Sequence, residues 1–238
     1  MLGPLVVSRR RTLGVALAAL LLALAGVFVL VGPERATGSY AERCARFDVD
    51  SATRAGVVTG SGDPVLVVGD SWSAGLGLPD PAASWPSRLE GRVRVAGFSG
   101  SGFSAHASGC GAVSFADRVP AALVGLPAGA LVVVAGGLND WDRPEAEVRA
   151  GFTALVAALE GRRVVVVGPA AAPARAAYVP RVDALLAELS AAHGVAYLAP
   201  RDVAPAYLDD GLHLTPAGHA TFGDWVADQL GRLPRPRA

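Results

Sequence analysis

Five short runs of apolar, mostly branched residues alternate with longer Ala- and Leu-rich stretches after residue 63, and this alternation limits the possible folds more than any other feature. The apolar runs span residues 64–69, 92–97, 131–135, 163–168 and 194–199. The stretches expected to be helical span residues 82–90, 114–124, 144–160, 179–193 and 215–230. Continuous apolar strands joined by helical crossovers are typical of a parallel sheet covered on both faces. The sequence therefore predicts an α/β fold, a three-layer α/β/α sandwich with a five-stranded parallel sheet.

An uncharged apolar stretch precedes this region, at residues 12–32, and directly follows Arg9-Arg10-Arg11. At about 1.5 Å per residue it reaches roughly 30 Å, the thickness of the hydrocarbon core of a bilayer. The positive-inside rule keeps the arginines cytoplasmic and places the rest of the chain outside. We expect a cytoplasmic N-terminus at residues 1–11 and a single-pass membrane anchor at residues 12–32. A cleaved signal peptide followed by secretion is the alternative.

The remaining boundaries follow from composition. Residues 33–62 are polar and contain Gly, Ser and Thr without a sustained period, so we expect a stalk there, followed by the folded domain at residues 63–232 and a tail at residues 233–238. Positive and negative side chains balance, 21 of each, so no global charge favours nucleic acid as a partner. We expect a monomer.

Two cysteines, Cys44 and Cys110, fit an extracytoplasmic location. In an oxidising compartment an even pair is more often bridged than free, so we predict a disulfide between them. Two isolated thiols are the alternative, because spacing alone does not establish contact. Neither cysteine has a partner at metal-ligand spacing, so we expect no metal site.

Polar and glycine-rich segments follow three of the predicted strands, and another precedes the last predicted helix. Gly69-Asp70-Ser71-Trp72 follows the first strand, and Gly97-Phe98-Ser99-Gly100-Ser101-Gly102 follows the second. Gly136-Gly137-Leu138-Asn139-Asp140 follows the third, and Asp209-Asp210-Gly211-Leu212-His213 precedes the last helix. Ligands bind beyond the carboxyl ends of parallel strands, so these segments are candidates for a site. Taken singly, each is also an ordinary turn or helix cap.

Together and in this order, the segments resemble the four sequence blocks of the SGNH/GDSL hydrolase family over residues 63–230. Trp72 stands where leucine gave that family its name, and Val95 stands where asparagine often opens the second block. The resemblance implies a flavodoxin-like SGNH hydrolase fold and a serine ester hydrolase that needs no cofactor. Both departures fall at tolerant positions, so they affect the choice of substrate more than the mechanism.

The resemblance also implies the roles of the site residues. Ser71 is the nucleophile, His213 the base and Asp210 the carboxylate that orients it, while Ser71, Gly100 and Asn139 supply the oxyanion donors. The chemistry agrees, since a serine hydroxyl needs an adjacent base and a tetrahedral oxyanion needs preorganised donors. None of the other histidines, His106, His193 and His219, has an aspartate three residues before it. Asp70 and Asp140 are expected to hold their own turns through backbone N–H groups.

Three other functions stay open at this level. The segment from Gly100 to Ala105 fits the G-x-G-x-x-G/A dinucleotide pattern, but no acidic residue closes the next predicted strand. The second alternative is a catalytically silent, membrane-tethered module that binds glycan. The third is an acyltransferase that uses the same groups with an acceptor other than water.

Substrate contacts are expected from Trp72, Trp141 and Arg143, which lie beside the nucleophile or just after Asn139. An exposed indole can stack on a sugar or line an acyl slot, while core packing is the alternative for both tryptophans. Short connections at the strand ends leave no large insertion to cover the site. An open site outside the membrane favours a short-chain or acetyl ester, on cell-wall glycan or on a lipid.

Overall fold

The structure is a computed structural model and describes residues 40–234. Its sheet contains five strands: β1 (Pro64–Gly69), β2 (Arg92–Gly97), β3 (Leu131–Ala135), β4 (Arg163–Val167) and β5 (Ala196–Leu198). They are all parallel, in the order β2-β1-β3-β4-β5. The sheet confirms the predicted topology, and each strand begins and ends within two residues of its predicted bounds.

Six α-helices lie within residues 40–234: α1 (residues 40–55), α2 (Ser71–Ala74), α3 (Phe115–Ala122), α4 (Glu145–Ala158), α5 (Val179–Ala192) and α6 (Pro216–Arg232). The last helix begins as predicted, because the Thr215 side chain accepts a hydrogen bond from the Gly218 N–H and Pro216 occupies the first turn. Ser114 and Asp117 form a capping box at the start of α3.

Alternate residues of each central strand face opposite sides of the sheet and enter two separate apolar cores. Val65 and Val67 of β1 pack with Phe222 and Val226 of α6. On the other face, Leu66 and Val68 of the same strand pack with residues of α3, α4 and α5. Those helix residues include Phe115, Phe152 and Leu186. The strands read as continuous apolar runs because both of their faces are covered. The sandwich therefore has the three predicted layers.

Two expectations are wrong in this region. The helix predicted at residues 82–90 is instead two short 3₁₀ helices, Pro81–Ala83 and Trp85–Arg88, because prolines 81 and 86 remove backbone donors. The stalk predicted at residues 33–62 is wrong for its described part, since residues 40–55 are helical and the compact unit begins at Phe47. Arg54 is completely buried and donates to the Ser84 hydroxyl at 3.0 Å. A buried charged side chain carries no apolar signal in the sequence.

The predicted membrane anchor at residues 12–32 lies outside the described residues, as do residues 1–11 and most of the predicted tail. Within residues 40–234, no helix has both the length and the apolar character needed to cross a membrane. Neither Cys44 nor Cys110 is free. Their pairing with each other stays a prediction.

Candidate active site

The predicted nucleophile and oxyanion residues follow three strands that end in register with one another. Gly69, the last residue of β1, is in register with Gly97 of β2 and with Ala135 of β3. The chain then continues to Ser71 after β1, Gly100 after β2 and Asn139 after β3. Because parallel strands deliver their carboxyl ends to one edge of the sheet, the fold brings these residues to a single site.

Ser71 is the first residue of α2, a single helical turn that follows β1 directly. The Asp70 carboxylate accepts a hydrogen bond from the Trp72 N–H at 3.0 Å and so caps this turn, as predicted. A side chain at Gly97 would place its Cβ 2.5 Å from the Ala74 backbone nitrogen. The helix can therefore pack closely only against a glycine. As a first-turn residue, Ser71 has no intrahelical acceptor for its own N–H, which is thus available to a ligand.

Burial raises the pKa of Asp70 to about 6, although its bond from the Trp72 N–H and the nearby His213 and Arg118 lower it. Its carboxylate is 3% exposed and is occupied by the turn. Asp70 therefore holds the turn that carries Ser71, and its contacts do not favour it over Asp210 as the partner of His213.

His213 and Asp210 form the predicted pair. The Asp210 carboxylate lies 2.6 Å from His213 Nδ1, and its other oxygen accepts the backbone N–H groups of Leu212 and His213, both at 2.9 Å. Partial burial would raise the pKa of Asp210, but these hydrogen bonds and the charge of His213 lower it to about 2. Asp210 is therefore ionised at neutral pH and fixes the ring so that Nε2 points away from it.

One hydrogen bond joins the nucleophile turn to the histidine loop. Trp72 Nε1 donates to the Leu212 carbonyl at 3.0 Å. Trp72 is adjacent to Ser71 and Leu212 is adjacent to His213, so each candidate catalytic residue lies one position from this bond. Among the described residues, the Ser71 hydroxyl makes no hydrogen bond. Catalytic hydrogen bonds are often long without substrate and tighten when substrate binds.

The expected substrate contact of Trp72 is not supported, because its side chain lies in the core. The residue is 6% exposed and packs edge-to-face on Phe222, with 5.1 Å between ring centroids. The ring also packs against Tyr207. The indole N–H supplies the bond to the Leu212 carbonyl, which a leucine at this position cannot make. The tryptophan therefore connects two catalytic segments.

Two of the predicted oxyanion residues, Gly100 and Asn139, lie on loops that are joined by a hydrogen bond. Gly100 has a φ of 84°, in the left-handed region, and its N–H donates to no other group within residues 40–234. Asn139 donates through Nδ2 to the Ser101 carbonyl at 2.8 Å, which leaves its second amide proton for a ligand. The arrangement can offer three donors, from Ser71, Gly100 and Asn139, to a developing oxyanion.

Asp140 holds the same two loops together. It is fully buried and accepts the backbone N–H groups of Phe103 at 3.0 Å and Ser104 at 2.8 Å. Burial raises its pKa to about 6, against the lowering effect of these two bonds. The sequence predicted that Asp140 orders its own turn, whereas its side-chain hydrogen bonds order the loop that carries Gly100.

Arg118 is a site residue that sequence reasoning missed. Its guanidinium donates to the Gly69 carbonyl at 2.8 Å, to the Ser101 hydroxyl at 3.0 Å and, through a short bond, to the Ala96 carbonyl. Burial lowers its pKa to about 10, while Asp70 and Asp117 raise it. Arg118 thus ties the ends of β1 and β2 to the oxyanion loop. A single arginine in an amphipathic helix gives no sequence signal for this role.

The other two predicted substrate residues lie beyond Asn139. The Trp141 side chain is partly buried and packs against Tyr178 at 4.8 Å between ring centroids. Arg143 is paired with its neighbour Asp142 through two hydrogen bonds of 2.8 and 2.7 Å. Trp141 therefore keeps part of its side chain exposed, while Arg143 already has a carboxylate partner.

The competing assignments find less support. The segment from Gly100 to Ala105 opens no helix, since the next one begins at Phe115, so it lacks the phosphate-binding helix terminus of a dinucleotide site. His106 pairs with Glu147 at 3.0 Å. His193 lies 3.4 Å from the Thr153 hydroxyl. No cluster of three or more potential metal ligands occurs in residues 40–234.

His219 is a buried histidine of α6, and its titration should make the stability of the protein depend on pH. Its Nδ1 accepts the Trp85 N–H at 3.2 Å, its Nε2 is buried without a partner, and burial lowers its pKa to about 4. The unfolded chain, with a histidine pKa near 6.5, binds more protons between these values. We expect His219 to remove about 2–3 kcal/mol of unfolding free energy as the pH falls from 7 to 4.5.

Replacing His219 with glutamine keeps an acceptor for the Trp85 N–H and removes the titration. Urea unfolding at several pH values should show a smaller acid loss in the His219→Gln variant. The raised pKa values of Asp70 and Asp140 favour the folded state on acidification, but they act equally in both proteins. Parallel stability curves for wild type and variant would contradict the assignment.

Comparison with known proteins identifies the family of this chain. Residues 67–221 match the model of the GDSL-like lipase/acylhydrolase family. The fold is similar to Est24, a carbohydrate acetylesterase from Sinorhizobium meliloti, with a TM-score of 0.60 and 20% identity over 71% of this chain and 99% of that one. It is also similar to the aryl esterase of M. smegmatis, with a TM-score of 0.56 and 20% identity over 73% and 100%.

A third similar structure is a putative arylesterase from Agrobacterium tumefaciens, with a TM-score of 0.57 and 23% identity over 71% of this chain and 99% of that one. No curated protein sequence matches the chain. The family model covers well over half of the 238 residues and includes all four sequence blocks. The resemblance to the SGNH/GDSL hydrolases is confirmed, and with it a carboxylic ester hydrolase. The chain belongs to the GDSL-like lipase/acylhydrolase family.

Proposed function

We propose that this esterase works through an acyl-enzyme on Ser71, outside the cytoplasmic membrane, on acetyl or other short-chain esters. The observation that carries the mechanism is the 2.6 Å contact between Asp210 and His213 Nδ1, on a loop joined to the nucleophile turn by the Trp72 bond. An oriented imidazole on a loop bonded to the turn of Ser71 supports a role for His213 as the base.

The reaction has two halves. His213 Nε2 takes the proton of the Ser71 hydroxyl as its oxygen attacks the ester carbonyl, and the tetrahedral oxyanion receives the N–H groups of Ser71, Gly100 and Asn139. His213 then gives the proton to the leaving alcohol, which leaves an acyl-serine. Water attacks this ester with His213 again as the base. Asp210, with a pKa near 2, stays ionised and stabilises the imidazolium.

The location outside the membrane is supported by the sequence at the N-terminus and by the cysteines. Arg9-Arg10-Arg11 and the apolar residues 12–32 have the order and length of an anchor, with secretion after cleavage as the alternative. Neither cysteine is free, and disulfides persist mainly in oxidising compartments. These observations favour a catalytic domain facing away from the cytoplasm.

The short acyl group is supported by the comparisons and not by loop length. The short connections expected from the sequence are not found after β2, where residues 98–114 form a 17-residue loop that carries Gly100. The similar structures include a carbohydrate acetylesterase and an aryl esterase. Transfer of the acyl group to an acceptor other than water would use the same residues, and no specific observation favours it.

Active-site labelling tests the proposal. Protein beginning near residue 40 should hydrolyse p-nitrophenyl acetate and should be labelled by a fluorophosphonate on Ser71. The matched control is Ser99→Ala, because the Ser99 hydroxyl is buried without a hydrogen-bond partner and its loss breaks no bond. Labelling should persist in that variant and disappear in Ser71→Ala. A folded protein that is neither labelled nor active would be a silent binding module and would overturn the proposal.

A further inference from the structure

An aromatic and cationic cluster lies on the rim between the oxyanion loop and the histidine loop. Its members are Trp141, Arg175 and Tyr178, which we call the rim cluster. The Arg175 guanidinium carbon lies 4.4 Å from the Trp141 ring centroid, and the Tyr178 ring meets the same indole at 4.8 Å. Trp141 comes two residues after Asn139, so one side of the cluster adjoins an oxyanion donor.

The other side of the cluster adjoins the base. Arg175 ends the 3₁₀ helix Pro173–Arg175, which follows β4. The Ala174 N–H donates to the Gly211 carbonyl at 2.9 Å, and Gly211 lies between Asp210 and His213 in the chain. A Cβ on Gly211 would lie 3.3 Å from Pro173. The loop that carries Arg175 is therefore packed on the loop that carries the catalytic pair.

Arg175 forms no direct ion pair in the described part of the chain, and its charge acts at longer range on Asp142, whose pKa it helps to lower. Within the same residues, the Arg175 Nε is buried without a partner, and the side chain's one hydrogen bond goes to the Ala174 carbonyl at 3.2 Å. The nearby Asp142 carboxylate already binds Arg143 through both oxygens. Arg181 adds a second positive charge, since it donates to the Trp141 carbonyl at 2.8 Å.

We propose that Arg175, held over Trp141, binds an anionic group on the alcohol part of the ester. This inference rests on the proposed esterase function and names its substrate class, acyl esters of a carboxylate- or phosphate-bearing carrier such as an acidic glycan. Guanidinium groups bind both anions in planar, paired geometry. The Trp141 ring limits the positions that Arg175 can adopt, which lowers the entropic cost of binding.

Three small esters test the proposal. They are 4-acetoxybenzoate, its neutral methyl ester and 4-acetoxyphenyl phosphate. The quantity measured is the kcat/KM of each anionic ester divided by that of the neutral one. Arg175→Gln removes a charge-assisted hydrogen bond to the anion, so we expect this ratio to fall about tenfold. The change should come mainly from a higher KM for the anionic ester. Arg175→Lys, which keeps the charge, should restore part of the ratio.

The matched control is Arg92→Gln, because Arg92 is exposed at the amino end of β2, on the opposite edge of the sheet. That variant loses the same net charge and should keep the wild-type ratio. A preference for the benzoate or for the phosphate ester identifies which anion the site takes. An unchanged ratio in Arg175→Gln, or an equal loss for all three esters, would overturn the proposal. Failure of the wild type on the neutral ester would instead overturn the esterase mechanism.

Discussion

Replacing Ser71 with alanine is expected to lower kcat for acetyl ester hydrolysis by on the order of 10⁶-fold, because the oxygen that forms the acyl-enzyme is lost. The fold should persist, since the Ser71 hydroxyl makes no hydrogen bond in the described residues and alanine is a good helix former. The measurement is steady-state hydrolysis of p-nitrophenyl acetate, with thermal unfolding to check the fold.

His213→Ala should cost about as much as Ser71→Ala, and the double variant should be no worse, because the two residues act as one unit. Asp210→Ala should cost less, on the order of 10⁴-fold, since it only orients and stabilises the imidazole. The matched control is His106→Gln, which breaks another histidine-carboxylate contact of 3.0 Å outside the site. Losses that multiply in the double variant would show that the serine and the histidine act independently.

The strands were predictable because their residues form continuous apolar runs in the sequence. Val65, Val67 and their neighbours are apolar on both faces, and the two cores they enter are both filled by helices. The predicted helix at residues 82–90 failed because Pro86 outweighs the surrounding helix formers. The start of the compact unit was missed because Arg54, a charged residue, is buried there.

The site was predictable to the extent that chemistry fixes the residue type. Only a few side chains can serve as nucleophile, base or neutral oxyanion donor, so Ser71 and Asn139 stand out after their strands and His213 stands out before the last helix. Arg118 and Asp140 act by holding backbone groups that many residue types could supply. The partners named above lie 17 to 49 residues away in the chain, and only the folded structure brings them together.

Trp72 shows how a departure from the family pattern can be misread. The indole beside the nucleophile suggested a substrate contact, because an aromatic ring is equally suited to a pocket wall and to a core. The structure favours the core role, because the indole N–H of Trp72 donates to the Leu212 carbonyl. The residue at the rim that keeps an unpaired polar group is Arg175, and its sequence context, Pro173-Ala174-Arg175, contains no motif.

Replacing Asn139 with alanine is expected to lower kcat by about 10²–10³-fold with little change in KM. The Asn139 amide keeps one proton for the oxyanion while the other binds the Ser101 carbonyl. Because the oxyanion exists only in the tetrahedral state, the loss should appear in the chemical step. Affinity for a boronic acid, which forms a tetrahedral adduct with Ser71, should fall by a similar factor.

Asn139→Asp sharpens this test, because aspartate has nearly the same shape but puts a negative charge where the oxyanion develops. It should therefore lose more activity than Asn139→Ala at neutral pH. The difference between the two variants should shrink as the pH falls and the new carboxylate becomes protonated. If alanine and aspartate caused equal losses at every pH, Asn139 would be acting only by holding the Ser101 carbonyl. A larger loss with aspartate, together with a larger loss of boronic acid affinity, would support the amide proton as a donor to the oxyanion.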